Sequence, residues 1–133
     1  MFITRKADYA IRCVLYFAKN SGPTANINEI SRAMHVPKSF LAKILQELFN
    51  AGFVDSVRGL NGGFRLAKDP GNINLLEVIQ AIQGISASNQ CAVDERSCSL
   101  SKTCSVHPVW IKIRKAVESE LKKQNFRKLS KYS

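Results

Sequence analysis

The sequence has no long hydrophobic run. No stretch approaches the roughly 18 consecutive apolar residues that a membrane-spanning helix requires. The first twenty residues are also too often interrupted by charge to be a secretion signal, at Arg5, Lys6, Asp8, Arg12 and Lys19. We therefore expect a cytoplasmic protein without a membrane partner.

Acidic residues are scarce. Ten Asp and Glu stand against twenty Lys and Arg, which gives a formal net charge of +10 and an isoelectric point near 9.8. This excess of positive charge favours a polyanionic partner, either nucleic acid or an anionic membrane surface. The length of 133 residues and the apolar fraction of 45% suffice for one compact domain with one protruding element at most.

Nucleotide-binding and catalytic motifs are also missing. There is no Gly-x-Gly-x-x-Gly or Walker pattern, and no helix pattern opens directly behind Asn61-Gly62-Gly63. The sequence holds only two His residues, and no Ser/His/Asp or paired-carboxylate arrangement stands out at a readable spacing. We do not expect an enzyme.

The first half of the chain shows helical periodicity with recognisable ends. A helix is predicted behind the N-cap Thr4, and a second, short helix behind the pair Asn26 and Glu29. A third helix is predicted from near Lys38 to Gly52, with an inner face formed by Leu41, Ile44, Leu45 and Leu48. Cys13 falls beside the apolar face of the first helix, where we expect it to pack in the core.

A β-hairpin is predicted next. Short alternating runs at residues 53–57 and 64–67 flank a glycine-rich loop, and a capping-box pair, Asn74 and Glu77, then opens a fourth helix that ends at Gly84. Two helices separated by a tight turn and followed by a hairpin are the order of a winged helix-turn-helix. The predicted fold is therefore mainly α with a small β-hairpin.

The exposed side of the third helix carries hydrogen-bond donors near its start. Its outward positions include Lys38, Ser39, Lys43 and Gln46, which can neutralise phosphates or reach base edges in a major groove. In the hairpin loop, a slender wing, Arg58 is expected to enter a narrow minor groove, and Asn61 is expected to contact DNA as well. The alternatives are an ordinary solvated helix face and an ordinary tight hairpin.

Three of the four cysteines lie in a segment without periodicity. Cys91, Cys98 and Cys104 are separated by six and five residues, and His107 follows in Cys-x-x-His spacing. In a reducing compartment, clustered thiols indicate metal ligands or redox groups before disulfides. Zinc fits poorly, because only Cys104 and His107 form a short clip, whereas iron–sulfur clusters accept looser thiolate spacings. Free thiols in a mobile loop remain the alternative.

The last segment predicts a helix with a narrow apolar stripe. After Pro108 the stripe consists of Trp110, Ile113, Val117 and Leu121 on an otherwise charged helix. Such a stripe suits pairing with a second helix, for example from another subunit. The basic end from Lys122 is expected to be solvated. The expected organisation is a DNA-binding domain at 1–84, a cysteine loop at 85–107, and a dimerisation helix with a basic tail at 108–133.

Four stretches together resemble the bacterial iron–sulfur regulators of the IscR/NsrR/RirA family. They are the N-terminal residues 1–10 (MFITRKADYA), residues 36–41 (VPKSFL), residues 57–66 (VRGLNGGFRL) and the triple-cysteine loop. The resemblance covers nearly the whole chain and implies a winged-helix homodimer built on the long helix behind the cysteine loop. It implies that Cys91, Cys98 and Cys104 bind the cluster.

The resemblance leaves two candidates for the fourth ligand. They are His107, as in IscR-like members, and Asp8 of the partner subunit, as in NsrR-like members. We favour His107 because it lies on the same loop, while Asp8 can instead pair with Arg12 one turn away.

The function implied by the resemblance is a DNA-binding transcriptional regulator whose operator affinity is set by a 2Fe-2S or 4Fe-4S cluster. The cluster would sense iron or cluster supply, redox state or nitric oxide. Two alternatives stay open: a thiol- or zinc-dependent regulator of the same fold without a cluster, and a small iron–sulfur carrier or electron-transfer protein. Six residues separate Cys91 from Cys98 where members often have five, so the cluster type is open.

Overall fold

Helices grouped around one small hairpin make up the chain, as a computed structural model of residues 2–20 and 22–132 describes it. In the described ranges, the helices are α1 (Arg5–Lys19), α2 (Ile27–Met34), α3 (Lys38–Asn50), α4 (Leu75–Gln83), α5 (Gln90–Val93), α6 (His107–Lys123) and α7 (Phe126–Leu129). The strands are β1 (Val54–Val57) and β2 (Gly63–Leu66). Short 3-10 turns cover Pro70–Asn72 and Glu95–Ser97. This order confirms the predicted winged-helix fold.

The helix ends follow the local signals in the sequence. The Thr4 hydroxyl accepts a hydrogen bond from the Ala7 amide at 3.1 Å and caps α1. Asn74 and Glu77 form a reciprocal capping box at the start of α4, with distances of 2.9 and 3.4 Å. Gly52 follows the end of α3 with a φ of 84°, a conformation that glycine adopts without steric cost.

The hairpin is antiparallel and is attached to the helices by a third segment. Its register pairs Val54 with Leu66 and Val57 with Gly63. The backbone of Ala25, just before α2, forms a bridge to Phe64, with N–O distances of 2.9 and 2.8 Å. The hairpin is thereby fixed relative to the helix-turn-helix.

The core lies between α1, α2, α3, α4, the hairpin and α7. Its fully buried members come from every one of these elements, including Val14, Leu41, Leu45, Val54 and Phe126. Cys13 also belongs to this core and is completely buried, as its position on α1 predicted. The apolar inner face of α3 is thus used for packing, and its opposite face stays free.

The C-terminal end differs from the expectation of a solvated tail. Phe126 of α7 is fully buried, and its amide donates to the Ile73 carbonyl at 3.0 Å. An ion pair between Arg127 and Asp69 also joins α7 to the residue before the first 3-10 turn. The sequence did not predict this docking, because lysines and arginines flank Phe126 along the chain.

The long helix α6 begins at His107 and packs against α4 and α5. Within the predicted stripe, Trp110, Val117 and Leu121 are half-buried, while Ile113 is 40% exposed. The segment before it, expected to be irregular, contains α5 and the second 3-10 turn. No helix in the described part of the chain is long and apolar enough to cross a membrane.

Candidate functional site

The outer face of α3 is open to solvent. All four side chains singled out on this helix are exposed, namely Lys38, Ser39, Lys43 and Gln46. Gln46 donates to the Asn50 side chain at 3.2 Å, a contact that stays on the helix surface. The face therefore presents cationic and polar groups that no other element of the described chain covers.

An ion pair holds α3 against α1, and a hydrogen bond holds the end of α2 against α1. Lys6 of α1 forms an ion pair with Glu47 of α3, with nitrogen–oxygen distances of 2.6 and 2.7 Å. In the turn between α2 and α3, His35 adopts a left-handed conformation with a φ of 56°, and Val36 is buried. Arg12 donates to the Met34 carbonyl at 3.2 Å just before that turn. The orientation of α3 is set by α1 as well as by its own core residues.

The wing loop places Arg58 and Asn61 in the solvent. The Thr24 hydroxyl donates to the Asn61 carbonyl at 2.8 Å and ties the loop to the chain before α2. At Gly62 a Cβ would lie only 2.4 Å from the Val57 carbonyl oxygen, so the turn is too tight for any side chain there. The wing is a narrow loop that is anchored to the chain before α2.

The cysteine segment folds around one cavity. Cys91 on α5, Cys98, Cys104 and His107 all border this cavity, which has a volume of about 260 Å³. The Nδ1 atom of His107 lies 3.2 Å from the Sγ atom of Cys91, across sixteen residues of sequence. Cys98 is exposed, whereas Cys91 and Cys104 are half-buried. The structure thus brings the four predicted ligands to the rim of a single space.

The donor set suits iron–sulfur chemistry, although the side chains do not converge. Three thiols and an imidazole are the soft and borderline donors that such clusters take. A further polar residue, Ser101, borders the same cavity, and its hydroxyl oxygen is buried. Within the described residues, however, no three His, Cys, Asp or Glu side chains lie close enough together to hold a metal ion. The four side chains therefore fit an iron–sulfur cluster by their donor chemistry and by bordering the same cavity.

Asp8 lies elsewhere in the chain. Its carboxylate pairs with Arg12 at 2.9 Å, and together with Ile3, Arg5 and Tyr9 these residues line a separate cavity of about 450 Å³. Asp8 is not among the residues that border the cysteine cavity of its own chain. Its alternative role as a ligand therefore depends on a second subunit.

Cys13 is chemically distinct from the other three cysteines. Burial raises the pKa of its thiol from 9.0 to about 12. At neutral pH this sulfur is therefore a protonated core atom and is unsuited to ligation or nucleophilic attack.

A polar connection that the sequence did not predict runs from the cysteine segment to α4. The Arg114 guanidinium on α6 donates to the Ala92 carbonyl at 2.6 Å, next to Cys91, and to Glu118 at 3.3 Å. Glu118 in turn accepts from Gln80 of α4 at 3.4 Å. The i,i+4 spacing of Arg114 and Glu118 was a readable signal for their pairing, but nothing in the sequence pointed to Ala92 or Gln80.

Comparison with known proteins gives consistent matches over nearly the whole chain. The family model described as "Rrf2: Iron-dependent Transcriptional regulator" matches residues 3–132. The chain is 37% identical over 120 residues to protein aau3 of Rhizobium meliloti, covering 90% of this chain and 76% of that protein. It is 36% identical over 111 residues to the HTH-type transcriptional regulator NsrR of Bacillus licheniformis, covering 82% and 78% of the two chains.

A solved structure has the same fold. The structure of CymR, the global cysteine regulator of B. subtilis, superposes with a TM-score of 0.83 at 26% identity, covering 100% of this chain and 98% of that one.

Proposed function

The chain belongs to the Rrf2 family of transcriptional regulators, and from this premise we propose that it is a cytoplasmic homodimer whose affinity for operator DNA is set by an iron–sulfur cluster at the cysteine cavity. Members of this family are regulators and not enzymes, in agreement with the expectation from sequence. The same membership favours a regulator over an electron carrier.

We propose that α3 and the wing bind the DNA. Lys38, Ser39 and Lys43 lie on the exposed face of a helix whose inner face is packed, the arrangement of a recognition helix in a major groove. Arg58 and Asn61 are exposed on the anchored wing loop, from which a guanidinium can enter a minor groove. The net charge of +10 strengthens attraction to any duplex.

The homodimer is proposed to form through α6. No residue of this helix is buried in the chain, and apolar side chains on one side stay exposed, with Val109 and Ile113 at 48% and 40%. Val106, just before the helix, continues this side at 46%. A second copy of α6 would cover them, and the resulting two-fold axis would present two α3 helices to two half-sites.

The observation that carries the cluster proposal is that Cys91, Cys98, Cys104 and His107 border one cavity. The three thiolates would hold the cluster, with His107 or Asp8 of the partner subunit as the fourth ligand. When bound, the cluster supplies a centre sensitive to iron supply, redox state or nitric oxide. The iron-dependence in the description of the family model agrees with this proposal.

Arg114 and Glu118 connect the cysteine cavity to helix α4, which packs on the helices of the DNA-binding domain. Arg114 links the α5 backbone next to Cys91 to α6, and Glu118 links α6 to Gln80 of α4. Helix α4 packs on α1 and on α3. We propose that a change in the position of α5 is passed through these packed elements to the helix that reads DNA.

The cluster proposal is tested on protein purified without oxygen. We expect a coloured protein with visible absorbance, and iron and acid-labile sulfide in equal amounts per cluster. Single Cys98→Ala and Cys104→Ala variants should lose the colour, whereas Cys13→Ala should keep it. Colourless, iron-free protein from iron-supplied cells, even after chemical reconstitution, would contradict the proposal.

A second candidate is a thiol-dependent regulator of the same fold without a cluster. It is favoured by the likeness to CymR, a cysteine regulator, and by the 3.2 Å contact between His107 and Cys91. Metal analysis separates the candidates. Metal-free protein whose operator affinity changes on oxidation of Cys91 would support this one, and bound zinc would indicate a zinc-dependent regulator.

A further inference from the structure

Ser101 is a buried polar residue whose hydroxyl has no visible role. The residue is 4% exposed, and its Oγ atom makes no hydrogen bond to any residue that the structure describes. Burying a hydroxyl without a hydrogen-bond partner is energetically costly, so such groups are rare in native proteins. Each one calls for an explanation at its site. Ser101 borders the cavity that Cys91, Cys98 and Cys104 share.

The backbone around Ser101 is fixed on both sides. Its amide donates to the Cys98 carbonyl at 3.3 Å, which ties it to the second cysteine. The Cys104 amide donates to the Leu100 carbonyl at 2.7 Å, which ties the third cysteine to the residue before Ser101. Two cysteines and the serine thus form one tight turn, and the serine is held at the wall of the cavity.

We infer that the Ser101 hydroxyl donates a hydrogen bond to a sulfur atom of the cluster or of a ligating thiolate, and that this bond raises the reduction potential of the cluster. The inference rests on the proposed function, since it needs a cluster in the cavity. A hydroxyl is a donor, and sulfide and thiolate sulfurs are acceptors. No covalent bond changes at Ser101, and the proton stays on Oγ.

The direction of the effect follows from charge. One-electron reduction adds negative charge to the cluster, so a hydrogen bond to its sulfurs is stronger in the reduced state than in the oxidised state. Stabilising the reduced state makes the potential more positive. Removing the donor therefore makes the cluster harder to reduce.

The test is an anaerobic redox titration of the full-length, cluster-loaded protein at an electrode that supplies the electron. For Ser101→Ala we expect the ratio of reduced to oxidised cluster at a fixed potential to fall about tenfold, a shift of about 59 mV to the negative. Ser101→Thr keeps the hydroxyl and should restore most of the potential. Ser99→Ala removes an exposed hydroxyl from the same turn and should leave the potential unchanged.

A second measurement separates this role from a structural one. In the cluster-free protein the hydroxyl has no partner, so Ser101→Ala should melt at the wild-type temperature or above it. A lower melting temperature of the cluster-free variant would show that the serine serves folding, and would overturn the inference.

The remaining outcomes are also decisive. A wild-type protein that takes up a cluster, with an unchanged potential in Ser101→Ala, overturns the inference and leaves the proposed function intact. A wild-type protein that takes up no cluster overturns both. Loss of the cluster in Ser101→Ala alone, with unchanged melting of the cluster-free form, would make Ser101 a ligand and would also contradict the role of donor.

Discussion

Lys43 is an exposed residue for which we predict a contact with a DNA phosphate. It lies on the outer face of α3, one turn beyond Ser39, where an ammonium group can reach a phosphate. We expect Lys43→Ala to weaken operator binding several-fold and to lower the slope of log affinity against log salt by about 1. Fluorescence anisotropy over a salt series measures both quantities.

Lys102 provides the matched control for this change. It is an exposed lysine of the cysteine segment, away from α3 and the wing in the sequence. Lys102→Ala should leave the salt slope at its wild-type value. Equal slopes for wild type and Lys43→Ala would remove this lysine from the DNA contact.

Cys13 leads to a prediction about pH. Its folded-state pKa is raised by burial to about 12, above the ordinary value of 9.0. The contribution of the thiol to stability is therefore complete below pH 9 and is lost as the pH rises towards 12, because only the unfolded chain ionises. Relative to Cys13→Ala, the free energy of unfolding of the wild type should fall by about 2 kcal/mol between pH 8 and pH 10.5.

Urea unfolding of cluster-free protein at the two pH values measures this difference. Lysines and tyrosines titrate in both proteins, so their effects cancel in the comparison. Cys98→Ala, which removes an exposed thiol, should show no comparable change relative to the wild type. A constant difference between the wild type and Cys13→Ala would mean that Cys13 is accessible to water.

At the level of elements, α7 is the least expected contributor to stability. Phe126 is completely buried and joins this four-residue helix to the core at Ile73. We expect Phe126→Ala to lower the free energy of unfolding by about 3–5 kcal/mol, the usual cost of truncating a buried phenylalanine. Tyr132→Ala, at a terminal aromatic residue that is 66% exposed, should change it by less than about 0.5 kcal/mol. Equal stabilities of the two variants would contradict the docking of α7.

Arg114 connects three elements, and its replacement tests their coupling. Arg114→Gln removes the charge that bridges the Ala92 carbonyl and Glu118. We expect it to reduce the difference in operator affinity between cluster-loaded and cluster-free protein by about 2- to 30-fold, the range of 0.5–2 kcal/mol for coupling residues. Lys115→Gln, at the exposed next position of α6, should keep the wild-type difference. An unchanged difference in Arg114→Gln would place the coupling elsewhere.

The elements that the sequence predicted well are those with local signals. Thr4, Asn74 and Gly52 mark helix ends through contacts within one turn, and α1, α3 and α4 each carry an apolar face. Helix α5 has four residues, too few for periodicity to appear. The burial of Phe126 depends on Ile73, more than fifty residues away, and no local pattern reports such a contact.

For the whole molecule, the sequence predicted which residues form the candidate site better than how they are arranged. The spacing of the cysteines and of His107 suggested one ligand group, and the structure places all four at one cavity. The contact between His107 and Cys91 arises because α5 folds back onto the start of α6, a tertiary event. Ser101 is also buried, which no pattern in the sequence predicted.

The proposed dimer and the proposed cluster together form one hypothesis about the whole molecule. If two copies pair along α6, their cysteine segments lie beside the shared axis, and a change at either cavity alters the spacing of the two α3 helices. Such a dimer would have to match two half-sites at once, so small displacements would have large effects on operator affinity.

The most direct measurement compares operator affinity with and without the cluster. A fragment selected from genomic DNA is titrated with anaerobic, cluster-loaded protein and with the same protein after the cluster is removed, at fixed salt. We expect the two dissociation constants to differ by about tenfold or more, within the usual range of allosteric coupling. Two forms that bind the fragment with the same affinity would contradict the control of DNA binding by the cysteine cavity.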